Sequence, residues 1–126
     1  MAQGTFGTAI NCIDGRAQGP VTAWVKANAQ VDYIDTVTAP GPDYLLTHTT
    51  PERLDVLRKM VEISVNAHGS QIVALAGHFD CAAFPANREQ HIAAIRDAVS
   101  VVKGWGLPVR VVGLWVNDQW QIEPVE

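Results

Sequence analysis

Cysteine is scarce in this sequence: two residues in 126, Cys12 and Cys81. Two cannot make a disulfide scaffold, and in a reducing compartment a pair of thiols binds metal, does chemistry or is simply buried. Basic residues are sparse as well. Nine Lys and Arg stand singly against thirteen Asp and Glu, giving a net charge of −4. With no basic patch to neutralise phosphates, nucleic acid is a poor expectation for a partner. No segment approaches the ~18 consecutive apolar residues of a membrane span, and Met1 to Gly7 have neither the basic start nor the apolar run of a signal peptide. The expected location is the cytoplasm, with no membrane partner. Repeats, linkers and low-complexity tracts are lacking too. A chain of 126 residues, 48% hydrophobic, suits one domain spanning 1–126 with one core.

What is present alternates between short apolar runs and amphipathic stretches. Thr8 to Ile13 reads as a buried strand closed by the turn Asp14-Gly15-Arg16, and Val31 to Val37 as a second strand stopped by Ala39-Pro40-Gly41-Pro42. Gln71 to Gly77, nearly all apolar, predicts a strand covered on both faces that runs into His78-Phe79-Asp80-Cys81. Val109 to Val116 is a fourth strand, and Asn117-Asp118 predicts a two-residue turn into a hairpin strand over Gln119 to Ile122.

Helices are expected between them. Thr49 or Thr50 caps one, with Pro51 in its first turn and Leu54, Leu57, Val61, Ser64 and Val65 on one face. Ile92, Ile95, Val99 and Val102 stripe another that stops at Gly104, and a shorter one runs from Pro20 to about Asn28. The expected fold is a single-domain three-layer α/β structure with a central, mostly parallel sheet of order 2-1-3-4 plus a C-terminal hairpin strand, and helices on both faces. A site then forms beyond the carboxyl ends of strands 1 and 3, where the order reverses.

That crevice receives Cys12 from the first strand and His78 and Cys81 from the third. Thiolate and imidazole are preferred zinc ligands, and three of them leave a fourth position open for catalysis. Spacing alone also admits two core cysteines and an unrelated histidine. Alternating positions of an extended chain share a side, so Cys12, Asp14 and Arg16 can project together, with Arg16 holding Asp14 ionised and oriented.

CxDxR at the end of a first strand and HxxC after a glycine at the end of a later one resemble the zinc-site signatures of β-class carbonic anhydrases, here Cys12-Ile13-Asp14-Gly15-Arg16 and Gly77-His78-Phe79-Asp80-Cys81. The order of elements is similar from about Thr8 to Val125. The resemblance implies Zn2+ held by Cys12, His78 and Cys81, with Asp14 and Arg16 as the catalytic dyad beside it. The implied activity is reversible hydration of CO2 to bicarbonate by a metal-bound hydroxide, the reaction of a zinc lyase. Hydrolysis of carbonyl sulfide or carbon disulfide is the related alternative, and a non-catalytic zinc module with the fourth position closed by Asp14 is another. A redox pair of Cys12 and Cys81 is a third.

The chain departs from the family as a short, reduced relative, with only about seven residues before the first strand where the family carries a helical arm. Ala82-Ala83-Phe84-Pro85 replaces the usual glycines after the second cysteine, and Thr38-Ala39-Pro40-Gly41 lacks the usual arginine turn. Phe79 and Phe84 are candidate apolar walls. His48, His68 and His91 are expected at the surface, and Trp105, Trp115 and Trp120 in the core or at an interface. A homodimer through the terminal strand region is expected, to protect an edge strand.

Overall fold

The computed structural model describes residues 3–126 and contains one five-stranded sheet of order β2-β1-β3-β4-β5. The strands are β1 (Phe6–Asn11), β2 (Tyr33–Thr38), β3 (Ile72–His78), β4 (Arg110–Val116) and β5 (Ile122–Val125). The first four pair in parallel, and β5 returns antiparallel to β4. The expected order and hairpin strand are therefore present.

Alternation along each strand decides which helix covers which face. Ala9, Ile72, Ala74, Ala76, Leu114 and Val116 pack with Ala17, Val21 and Val25 of α1 (Gly15–Ala29). Three alanines on that side leave room for the helix to come close. On the other face Ile10, Val73, Leu75 and Trp115 meet Leu57, Val61 and Val65 of one helix and Ile95, Ala98 and Val102 of another. With α2 (Pro42–Leu45) the short element between β2 and the first of them, these are α3 (Pro51–His68) and α4 (Arg88–Lys103). β3, covered on both sides, is buried at every residue.

Several expectations shift. α1 begins at Gly15, five residues before Pro20, because Asp14 caps it by accepting the backbone N–H of Arg16. Pro20 is accommodated inside the helix. Between the two candidate caps of α3, Thr50 is the one used: its Oγ1 accepts from Arg53 N–H at 3.3 Å. α4 starts on a reciprocal box between Asn87 and Gln90, a start the apolar stripe did not reveal.

The turn after β4 is longer than two residues. Asn117 accepts on its side chain from the N–H groups of Gln119 and Gln121, and Trp120 takes a left-handed conformation (φ 58), so β5 starts at Ile122 rather than Gln119. The tryptophans also separate. Trp115 fills the core under α4, Trp105 edges the same cluster, and Trp120 packs on the α1 side.

Candidate metal centre

β1 and β3 are central neighbours, and the chain leaves β1 toward β2 on one side but crosses to β3 on the other, so their carboxyl ends border the switch point. Cys12 follows β1 directly. Its N–H donates to Asn11 Oδ1 at 2.9 Å and its carbonyl accepts from Gln18 Nε2 at 3.1 Å, which pins the peptide between strand and helix. His78 is the last residue of β3, paired with Val116. Phe79 N–H donates to Val116 O at 2.8 Å, and the chain then turns through Asp80, at φ 58, to bring Cys81 back.

These turns place Cys12, His78 and Cys81 together, with one ligand atom of each within 4.8 Å of the others, and all three residues buried. A tetrahedral zinc site with metal–ligand distances of ~2.0–2.3 Å has ligand–ligand edges of roughly 3.5–3.8 Å, so small side-chain movements suffice to close on an ion. Both cysteines are free thiols.

His78 is 1% exposed, and its two nitrogens have different fates. Nδ1 lies 2.7 Å from the Phe79 carbonyl, which only accepts, so Nδ1 carries the hydrogen. Nε2 is left as a bare lone pair, buried and without a partner in the structure. Burying an unpaired acceptor costs stability. A metal ion between it and the two sulfurs removes that cost, and the hydrogen bond at Nδ1 is the kind that fixes a metal-ligating ring.

Asp14 and Arg16 stand beside this trio. Arg16 grips the carboxylate with two parallel bonds, Nε to Oδ1 at 3.1 Å and Nη2 to Oδ2 at 2.8 Å. Asp14 Oδ2 lies 4.0 Å from His78 Nε2, next to where a metal would sit. The Arg16 side-chain bonds, opposed by some burial and helped by the Arg16 backbone N–H, hold the Asp14 carboxyl down at about 2. The guanidinium is pushed up in turn by Asp14 and, more weakly, by Asp80. Asp14 is therefore ionised across the whole physiological range.

The surroundings contain residues that sequence reasoning did not find. Asp80 reaches Arg16 by side chain and carbonyl, both at 3.2 Å, and Trp120 lies under the guanidinium, 4.6 Å from ring centroid to Cζ. Behind the loop that carries Cys81, His91 is fully buried rather than at the surface. Its Nδ1 meets Asp43 Oδ2 at 2.6 Å and its Nε2 meets the Phe84 carbonyl at 3.0 Å. Gly77 makes this pair possible, since a Cβ there would run into the Asp43 carboxylate.

His68 also departs from a free surface role, at 2.6 Å from Asp35 and stacked on Phe6, whereas His48 is exposed and stacks on Tyr44. Of the two candidate walls, Phe79 is 44% exposed beside the metal-site residues, while Phe84 packs against Tyr44 and His91.

Residues 2–126 match the model of a protein family described as "Putative carbonic anhydrase". No curated protein matches the chain. Among solved structures, the carbonic anhydrase of Streptococcus mutans is 18% identical, with a TM-score of 0.62 over 94% of this chain and 81% of that one. The carbonic anhydrase of Glaciozyma antarctica is 16% identical, with the same TM-score of 0.62 and the same coverage of 94% and 81%. A structure from work on two tetrameric β-carbonic anhydrases of Sordaria macrospora is 12% identical, with a TM-score of 0.63 over 98% of this chain and 82% of that one. At such identities the likeness to the solved structures is one of fold.

Proposed function

The chain belongs to the carbonic anhydrase family whose model it matches over residues 2–126, with the β-class fold, and from that premise we propose that it hydrates CO2 reversibly at a zinc ion held by Cys12, His78 and Cys81. The observation that carries the reading is the buried, unpartnered Nε2 of His78 facing two buried thiols. Two soft sulfurs and an imidazole are a donor set that suits zinc. Zinc, when bound, supplies a Lewis acid that brings the pKa of a water toward neutrality.

The chain's own residues do the rest. The Phe79 carbonyl takes the Nδ1 hydrogen of His78 and fixes the ring so that Nε2 faces the two sulfurs. Asp14, kept ionised by Arg16, can only accept a hydrogen bond. Oδ1 is taken by the Arg16 backbone and Nε, and Oδ2 by Nη2, which leaves Oδ2 one lone pair on the side of His78. That lone pair takes the proton-bearing edge of the attacking water and turns the water's own lone pair toward CO2. Phe79, 44% exposed and next to His78 in the chain, offers apolar surface for an uncharged substrate. A proton leaves toward solvent past Arg16, itself half exposed.

The same chemistry serves carbonyl sulfide or carbon disulfide, and rates on the three compounds decide the substrate. The non-catalytic alternative requires Asp14 Oδ2 to leave Arg16 for the metal, against the bidentate grip. A cytoplasmic location is supported by the two free thiols, and the homodimer by the position of β5 as a short outer strand; sedimentation of the pure protein tests the latter. Stopped-flow CO2 hydration by metal-quantified protein tests the function. Activity that follows zinc content supports it, and zinc-loaded protein no faster than buffer rejects it.

A further inference from the structure

The Asp14–Arg16 pair is held by more than its own two bonds. An exposed carboxylate–guanidinium pair is weak, because water competes for both partners and the long side chain samples many rotamers. A metal dication competes for the same carboxylate. Yet Arg16 is fixed. Four of its five N–H groups are engaged: Nε donates to Asp14, Nη2 to Asp14 and the Asp80 carbonyl, and Nη1 to the Asp80 carboxylate. Its flat face rests on Trp120 at 4.6 Å, within cation–π range.

Both outer partners sit in backbone conformations that side chains rarely adopt. Asp80 and Trp120 each have φ 58. For aspartate that is tolerable, but for a bulky residue it is an outlier. Trp120 occupies the last position of a three-residue hairpin loop between Asn117 and Gln121, where glycine ordinarily supplies the left-handed conformation. A tryptophan held there against its backbone preference points to a use for its ring. That ring meets Arg16 on its face and Phe79 edge-on, at 6.4 Å, and lies 6.4 Å from the His78 ring.

We infer that Trp120 and Asp80 are positioning residues that lock Arg16 onto Asp14, and that this lock keeps Asp14 off the metal and the fourth coordination position open. The inference rests on the zinc-site reading above. Three segments far apart in the chain cooperate in the lock, namely the turn into α1, the turn after β3 and the β4–β5 hairpin. Without the ring and the Asp80 carboxylate, Arg16 swings into solvent and Asp14 becomes free to close the site.

The test uses full-length protein loaded with Co2+, whose visible absorption reports the ligand at the fourth position, titrated with azide as a small anionic probe. Trp120→Gly removes the ring and relieves the backbone at once, so folding is not penalised through φ. It should keep full metal content while azide affinity falls by about tenfold or more, because Asp14 must first be displaced. Trp120→Phe, which keeps a π face, should recover azide affinity to within about threefold of the parent. Asp80→Ala, at a solvent-facing side chain, should fall between.

Parent-like azide binding in both Trp120→Gly and Asp80→Ala overturns the lock. If Trp120→Gly fails to fold, Asp80→Ala decides alone. A parent protein that takes up cobalt and azide but hydrates no CO2 overturns the catalytic reading, while the lock stands or falls on the azide comparison. A parent that binds no metal overturns both.

Discussion

At His78 a carbonyl 2.7 Å away takes the Nδ1 hydrogen and leaves the buried Nε2 with nothing to bond, so the ring's role is set by its neighbour as much as by its own chemistry. Cys81→Ser should therefore abolish tight zinc binding with little loss of fold, measured by elemental analysis and circular dichroism. Arg16→Ala should retain zinc but lower CO2 hydration by about 10²–10³-fold, the scale of losing one oriented group in a catalytic site. Full activity with full metal in that variant would contradict the role given to Asp14. The variant should also let the Asp14 carboxyl rise from about 2 toward its ordinary 3.8, because the side-chain bonds from Arg16 are the main cause of the depression. The convergence of Cys12, His78 and Cys81 and the pairing of Asp14 with Arg16 were legible, because each signature lies within five consecutive residues at a strand end. Asp80 and Trp120 were not. Their contact with Arg16 depends on two left-handed residues that no local pattern announces, and the missing glycine of the hairpin was the one available sign.

Among the elements, α4 shows how a stripe can be right yet incomplete. Ile92, Ile95, Val99 and Val102 all pack on the core, but the fully buried set also includes His91 and Ala98. The burial of His91 comes from α2, a four-residue helix that starts on the last residue of the Pro/Gly break and delivers Asp43 to it. A polar pair in the core is invisible to hydrophobic periodicity. His91→Ala leaves Asp43 buried without its partner and frees the Phe84 carbonyl, three residues after Cys81. It should cost about 3–5 kcal/mol in denaturant unfolding, as breaking a buried pair does. At α3 the two threonines give a sharper comparison. Thr50→Ala should cost about 1 kcal/mol by removing the cap, whereas Thr49→Ala, which deletes a buried hydroxyl without a partner, should change stability by less than about 0.5 kcal/mol.

For the whole molecule, the strand order was legible because alternating strand and helix patterns admit few right-handed parallel arrangements, and the site followed from the switch point between β1 and β3. Strand ends were placed less well: β1 covers Phe6–Asn11 and β5 Ile122–Val125, since hydrogen-bonded turns rather than composition set those limits. Acid sensitivity also belongs to the whole fold. Thr5 donates its backbone and side-chain hydrogens to Asp32, and Arg88 and Asn117 donate to Glu123, so both carboxyls are held below their ordinary 3.8 and 4.5. A lowered folded-state pKa stabilises above the unfolded value, and that stabilisation is lost as pH falls through the folded value. The urea midpoint should therefore be flat near neutrality and decline below about pH 4.5, with Asp32→Asn and Glu123→Gln each reducing the slope.

The central claim is that Cys12, His78 and Cys81 hold a zinc ion that the fold is built to receive. Its most direct test is thermal unfolding of the same preparation before and after stripping with a chelator, alongside metal analysis. Zinc near one per chain, with a melting temperature that falls on stripping and returns when zinc is restored, is the expected result, because an ion bound only by the folded site adds its binding free energy to stability. A protein that carries no transition metal, cannot be loaded with one and melts at the same temperature with or without zinc would contradict the account.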